Sequence, residues 1–532
     1  MPRLTPITIN WKPERNAPTP VTEQIVNYMC HQISSGTWPI GSRLPSQRTL
    51  AESFGVNRST VIAAINELAD YGIIEGLHGA GTRIVSNTWS LMLPGAPDWA
   101  DYVESGFFKA NNATIQTINR MEFSPGITRL GTGEIDPRLF PRTMWRRIAS
   151  EAASEIDSLG YPPPEGLPVL REAIAAHMRI TGVSCTPEQI LITSGALQAL
   201  QMISVSLLSA GSTVIAEAPS YIKSLQVFQS AGMKLAGVPM DSSGINIDSL
   251  QSLLDAHDPR RNAILYTIPT NHNPTGITMS ETRRHELMAC CIERRLPIIE
   301  DNAYQDLFFN DDRNAHTHLT SEGNSITADS AHEPASTHEP TNAHGHRHVP
   351  TPTRVPTPLK SLDKTGMVIT LGSASKTLAP GLRIGWIVAD RSIVHRLADV
   401  KMQMDYGASV LSQWVYARFL TSGLYDEYLT DLQHELQRRR DAAIETLERQ
   451  FIGIAHWTRP QGGFYIWLTF NQPVKIGRLF QLALQRGVLL NPGDIYDFEG
   501  DNSLRLSYSY TTPEEFAHAV TILANIVREI DA

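Results

Sequence analysis

Apolar positions near the start of the chain recur at helical spacing. Val21, Ile25, Tyr28, Met29 and Ile33 share one face, so VTEQIVNYMCHQISSG predicts an amphipathic helix closed by Gly36. Pro39 and Gly41 break the pattern, and Ser46 in RLPSQRTLAESFG is placed to cap a short second helix that Gly55 ends. A third helix is predicted for NRSTVIAAINELADYG, with Val61, Ile65 and Leu68 inward and Arg58, Ser59 and Thr60 at its exposed N-terminal end. The segment IIEGLHGAGTRIV, with Gly76, His78, Gly79 and Gly81 between apolar runs, predicts a small hairpin. From Met121 onward the period changes. Short β-rich runs (QILITSG, STVIAEAPS, AILYTIP, LPIIEDNAY, GMVITLGSAS) alternate with helical stretches, which predicts an α/β fold around a mainly parallel sheet buried on both faces.

These textures divide the chain into a compact helical domain over 18–86, a connector over 87–121 and an α/β domain over 122–530. The connector mixes Pro94 and Pro97 with Trp89, Leu91, Trp99, Tyr102 and Phe107, so part of it is expected to pack. Residues 312–360 are rich in His, Thr, Pro, Asn and Ser, which predicts a disordered insertion. Its histidines (His316, His318, His332, His338, His344, His346 and His348) lack organised spacing, and no metal site is expected there.

A length of 532 residues exceeds one ordinary core, in keeping with that division. With 42% hydrophobic and 19% charged residues the composition is that of a globular protein, and no apolar run approaches the ~20 residues of a membrane span. The opening MPRLTPITINWKPERN has no secretory apolar core, and Cys30, Cys185, Cys290 and Cys291 lack metal or redox spacing, so a cytoplasmic protein with idle thiols is expected. A net charge of −9 excludes general coating of nucleic acid, so any DNA binding must be local.

Locally, the order helix, turn, helix, hairpin is that of a winged helix-turn-helix. Residues at the N-terminal end of its second helix reach base edges and phosphates in a major groove, which points to Arg58, Ser59 and Thr60. Residues 1–85 hold seven Lys or Arg against six Asp or Glu, so a merely structural helical module is the competing reading. LPSQRTLAE, VNRSTV and GAGTRIV in this order resemble the winged-helix domain of the GntR regulator family. That resemblance implies DNA contacts from Arg48, Arg58, Ser59 and Thr60, with the wing at Gly79, Gly81 and Thr82 near the minor groove or backbone.

Further on, SASKTLAPGLRIG sets Lys376 on a loop after an apolar strand, among Ser373, Ser375 and Arg383. An amine so placed can form a Schiff base with a pyridoxal aldehyde, and small hydroxyls with an arginine suit its phosphate. Alone, the segment fits any anion site. IIEDNAYQD puts Asp301 and Tyr304 at a strand end, where Asp301 can pair with a pyridinium nitrogen, and Tyr304 with Asn273 of NPTG can bond the ring's phenolic oxygen. ITSGALQAL offers Ser194, Gly195 and Ala196 at a strand-to-helix junction as a phosphate site, and Tyr221 in EAPSY is placed to stack on the ring.

In order and spacing these segments resemble the fold-type I enzymes that use pyridoxal 5'-phosphate, from about Met121 to the C-terminus apart from the His-rich block. The resemblance implies a large, mainly parallel-sheet domain with a small C-terminal lobe, Tyr161 reaching the phosphate of a neighbouring subunit in a homodimer, and Arg505 clamping a ligand carboxylate. The interval from Lys376 to Arg383 is a residue shorter than in aspartate aminotransferases. The whole chain resembles instead the MocR or GabR-type regulators, which join a GntR winged helix to an aminotransferase-like domain. The function so implied is a transcription regulator that binds operator DNA and senses an amino compound, or the cofactor itself. The alternatives are a working aminotransferase carrying a DNA-binding domain, and a cofactor kept for stability alone.

Overall fold

The computed structural model describes residues 7–77, 81–86, 113–256, 262–309, 355–497 and 502–531. The chain separates into two units, Met1–Lys109 and Ala110–Ala532.

In the first unit, helices α1 (Val21–Ser34), α2 (Gln47–Phe54) and α3 (Arg58–Asp70) precede the antiparallel pair β1 (Ile74–Leu77) and β2 (Gly81–Ile84). The Ser46 hydroxyl caps α2 by accepting from the Thr49 amide at 3.1 Å, and Gly55 ends the helix in the left-handed region at φ 69°. Ile25, Met29, Leu50, Phe54, Val61 and Leu68 form the core, each burial contributing about 2 kcal/mol. The unit also begins earlier than residue 18. Ile7, Ile9 and Trp11 pack on this core, with the Trp11 ring stacked on Tyr28 at 4.5 Å.

The second unit opens with helix α4 (Ala113–Met121), whose Ile115 and Ile118 enter its core. A boundary at 122 is therefore nine residues too late, because those two isoleucines anchor the helix to the α/β unit. Its strands in chain order are β3 (Thr128–Arg129), β4 (Ile190–Thr193), β5 (Thr213–Ala218), β6 (Lys234–Asp241), β7 (Gly244–Ile245), β8 (Ala263–Thr267), β9 (Ile298–Asp301), β10 (Val368–Ser373), β11 (Gly385–Val388), β12 (Ala455–Trp457), β13 (Tyr465–Phe470), β14 (Val488–Leu489), β15 (Asn491–Pro492) and β16 (Ser503–Ser507). Eight form one sheet in the order β4-β11-β10-β9-β8-β5-β6-β7. Neighbours from β10 through β6 run parallel, while β11 is antiparallel to both β10 and β4. Every residue of β4, β9, β10 and β11 is buried, as near-continuous apolar runs require in a sheet covered on both faces. A second sheet, β12-β13-β16-β15, belongs to the C-terminal lobe.

The insertion expected over 312–360 also ends too late. Its stretch up to 354 lies outside the described residues, whereas 355–360 is built into the fold. Leu359 is buried, and the Leu359 and Lys360 amides donate to the buried Glu300 carboxylate at 2.6 and 3.1 Å. Composition hid this anchor because prolines and threonines surround its one large apolar side chain. The four cysteines are buried thiols, and burial pushes the Cys30 thiol up to about 12, which keeps it protonated and unreactive. Among the described residues no helix is long and apolar enough to cross a membrane.

Candidate functional site

The first candidate surface is the N-terminal end of α3. Arg58 and Ser59 are exposed there and Thr60 is half-buried; Arg58 Nη2 reaches Gln47 Oε1 at the start of α2, 3.4 Å away. Arg48 stands on α2 with 85% of its side chain exposed, paired with Glu52 at 3.2 Å. Gly81 and Thr82 open β2, and the Thr82 carbonyl accepts from the Leu44 amide. Gly79 lies outside the described residues. The N-terminal arm also approaches the turn between α2 and α3: Arg15 Nη2 donates to the Gly55 carbonyl at 3.2 Å. The alternating Ile7, Ile9 and Trp11 were the signal for this arm.

The second site forms where parallel strands end, the usual place for ligand groups in an open α/β sheet. Asp301 closes β9, Ser373 closes β10, Ser194 follows β4, and Tyr221 and Asn273 follow β5 and β8. Register explains why distant segments meet: Gly385 pairs with Ser373 on one side and Thr193 on the other. Gly195 heads helix Ala196–Leu207 at φ 99°, and Arg383 Nη2 crosses to the Ser194 carbonyl at 2.8 Å. A Cβ at Gly195 would sit 2.5 Å from that nitrogen, so only glycine lets the guanidinium lie at the helix N-terminus. The Ser373 hydroxyl accepts from the Ser375 amide at 3.1 Å. A helix N-terminus, small hydroxyl residues and an arginine thus meet as an anion cradle.

Lys376 Nζ donates to the Gly133 carbonyl at 2.6 Å and lies 5.8 Å from the centre of the Tyr304 ring. Asp301 accepts from the Tyr266 hydroxyl at 2.8 Å. Burial pushes the Asp301 carboxyl upward, opposed by that hydroxyl, the Ala303 amide and the Lys376 charge. A buried acid in this state fits a protonated ring nitrogen, whose charge would offset its desolvation. The Tyr304 hydroxyl bonds the Tyr465 hydroxyl at 2.9 Å.

Arg505, 4% exposed, is held in an aromatic box with its guanidinium carbon 4.2 Å from the Tyr465 ring centre and 4.8 Å from that of Tyr496. Its Nη1 donates to Asn273 Oδ1 at 2.8 Å and its Nη2 to the Gly131 carbonyl at 2.6 Å. Asn491, turned so that both amide atoms are satisfied, also accepts from Arg505 Nη2 at 3.0 Å. Arg505 Nε is buried with no partner, a donor suited to an incoming carboxylate. Tyr221, Lys376, Tyr465, Tyr496 and Arg505 line one cavity of about 140 Å³.

Tyr161 is not brought to this cavity. It is 84% exposed and packs on Tyr406 with ring centres 5.4 Å apart. Asn273 is present, but its carbonyl oxygen is committed to Arg505. Sequence reasoning missed Tyr266, Tyr465, Tyr496, Gly131 and Gly133. Tyr266 had a visible signal, a polar tip on the apolar strand AILYT, whereas the pairing of β13 with β16 that sets Tyr465 near Arg505 has no local mark.

The model of the gntR family of bacterial regulatory proteins matches residues 21–84, and that of aminotransferase class I and II matches residues 125–523. The chain is 43% identical over 521 residues to YisV of Bacillus subtilis, named an HTH-type transcriptional regulator, covering 98% of both chains. It is 32% identical to the HTH-type transcriptional regulator NorG of Staphylococcus aureus, over 92% of this chain and 100% of that one. Among solved structures, a kynurenine aminotransferase of Pyrococcus horikoshii with PMP superposes at TM-score 0.69 and 26% identity, covering 81% of this chain and 98% of that one. An archaeal alanine:glyoxylate aminotransferase superposes at 0.69 and 28%, covering 81% and 99%. The chain belongs to the aminotransferase class I and II family and carries a gntR-family helix-turn-helix, as MocR or GabR-type regulators do.

Proposed function

We propose that the protein is a transcription regulator that binds operator DNA through its first unit and senses an amino compound at pyridoxal 5'-phosphate held by its second. The observation that carries this reading is the convergence of Lys376, Asp301 and Arg505 in a chain that also exposes Arg58 on a helix-turn-helix. The names of YisV and NorG and the PMP of the archaeal neighbour support it.

When bound, the cofactor supplies an aldehyde that captures primary amines and a ring that withdraws electrons. Lys376 is the amine that holds it; Asp301 pairs with its ring nitrogen. Tyr304 and Asn273 face its phenolic oxygen, and Tyr221 stacks on the ring. Ser194, Gly195, Ala196, Ser373, Ser375 and Arg383 bind the phosphate. Arg505 takes the ligand's carboxylate through the donor left at Nε. The protein acts as a homodimer in the cytoplasm, where the exposed Tyr161 reaches the partner's phosphate and two α3 helices meet adjacent half-sites. Arg48, Arg58, Ser59 and Thr60 contact DNA, with the wing at Gly79, Gly81 and Thr82.

A second reading, turnover as an aminotransferase, is favoured by Lys376 lying close enough to Asp301 for their charges to interact, since the same lysine can move a proton. Measuring operator affinity with and without amino acids, alongside the cofactor's absorption, separates the two. Ligand and operator should change each other's affinity by the same factor, and Lys376→Ala should abolish the effect. Fast conversion of a 2-oxo acid with unchanged operator affinity would overturn sensing in favour of turnover.

A further inference from the structure

The wall of the Lys376 cavity formed by α4 and the residues after it carries an unbalanced charge. Ile115, Ile118 and Asn119 of α4 line it, followed by Glu122 and then Glu134. The Thr132 hydroxyl, on a buried residue, donates to Glu122 Oε1 and fixes that carboxylate in place. Glu134 is held through its backbone, its carbonyl accepting from the Ser509 hydroxyl at 2.7 Å. Among the described residues neither glutamate has an ion-pair partner.

Among the described residues the cationic groups on the same cavity are Lys376 and Arg505. Under the proposed function, which this inference rests on, the ligand's amine takes the place of Lys376 at the cofactor and releases the lysine amine, while the ligand's α-carboxylate neutralises Arg505. Lys376 alone is then left to balance the two glutamates that line the cavity around the remainder of the ligand. A half-buried carboxylate so placed attracts a cation and repels an anion, and the apolar Ile115, Ile118 and Ile495 suit the methylenes that would carry that cation.

We propose that Glu122, assisted by Glu134 and Asn119, selects as ligand an α-amino acid whose side chain ends in a cation, a diamino acid. Arg505 holds the α-carboxylate and the glutamates hold the distal ammonium. The selecting helix is the first described element after the segment that leads from the DNA-binding unit, so the ligand's side chain bears on the part of the second unit nearest to it along the chain.

The test uses the full-length, cofactor-loaded protein with L-lysine, L-ornithine, L-norleucine and L-glutamate as probes. Binding is read by calorimetry and by the change in cofactor absorption. L-lysine or L-ornithine should bind about tenfold or more tightly than L-norleucine, which has the same reach without the ammonium. Glu122→Gln should bring that ratio close to one, and Glu122→Asp, which keeps the charge, should retain a preference; the variants' cofactor absorption reports that they are folded. Norleucine or glutamate binding as tightly as lysine would overturn the selection while leaving amine sensing in place. If no probe alters either readout, both the selection and the sensing reading fail.

Discussion

Arg48 and Arg58, both expected to meet DNA, stand in solvent on the first unit: among the described residues Arg48 pairs with its neighbour Glu52, and Arg58 makes one long bond to Gln47. In the second unit the corresponding residues are sunk into the fold, where Asp301, Asn273 and Arg505 are buried and bonded to residues from three strands or the turns beside them. An exposed cation costs little to hold and binds a large polyanion through long-range charge. A small ligand must instead be met by desolvated groups in fixed positions, and desolvation ties those groups to the stability of the fold. Function and folding are therefore separable in one unit and coupled in the other.

The sharpest break in that contrast would come from Arg505→Ala. It leaves Asn273 Oδ1 and the Gly131 carbonyl without their donor and empties the box between Tyr465 and Tyr496. We expect a loss of about 2–5 kcal/mol in stability and about a hundredfold or greater loss in affinity for carboxylate-bearing ligands. Urea unfolding and calorimetry measure the two; a variant that lost affinity alone would show that the buried site is not coupled to the fold.

Next in size is a pair of deletions. Removing residues 315–350 should change stability by less than about 1 kcal/mol, because lengthening or shortening a connection costs only weakly. Extending the cut through 360 removes Leu359 and two amide donors from the buried Glu300, which should cost about 3–5 kcal/mol. Equal thermal midpoints for the two deletion variants would place the true anchor elsewhere.

The same contrast governs what the chain revealed in advance. The helix caps at Ser46 and Gly55, the buried strands and the loop bearing Lys376 are local, so spacing and residue type disclosed them. Tyr465 and Tyr496 escaped because their position beside Arg505 depends on lobe strands and turns far apart in sequence. Residues 355–360 escaped for the opposite reason, a local composition typical of disorder overruled by one leucine and a distant carboxylate. The arm at Ile7–Trp11 had the right alternation but too short a run to separate from a tail.

For the exposed unit, Arg58→Ala should lower operator affinity by about 5–150-fold and flatten its salt dependence. Its stability should stay within about 0.5 kcal/mol of the parent, since the residue is solvated. A mobility-shift titration at two salt concentrations with a melting curve checks both halves. A large stability loss would mean that α3 needs Arg58 to fold and that the two units differ less than their burial indicates.

A pH-dependent effect is expected from a buried pair of the second unit that performs no assigned chemistry. Glu217 on β5 accepts from the Thr267 hydroxyl and, at 3.3 Å, from the Ile268 amide, while its other oxygen lies 3.9 Å from His272 Nε2 with neither atom hydrogen-bonded. Burial raises the Glu217 carboxyl from 4.5 to about 7 and lowers the His272 imidazole from 6.5 to about 3, so near pH 6 this is a neutral pair and not an ion pair. The raised carboxyl contributes stability that is present below pH 4.5 and lost as pH rises through about 7. The depressed imidazole contributes stability present above pH 6.5 and lost as pH falls through about 3, so the two slopes oppose each other between 4.5 and 6.5. Glu217→Gln keeps an acceptor for Thr267 and Ile268 and can give His272 Nε2 a donor if the ring proton sits on Nδ1, bonded to Thr275. It removes only the falling slope. Relative to the parent, the variant should therefore gain stability, on the order of 3 kcal/mol, as pH is raised from 4.5 to 7. Chemical denaturation at several pH values measures it, and parallel curves for parent and variant would show that Glu217 is ionised in the folded protein and that the site rests on a buried charge after all.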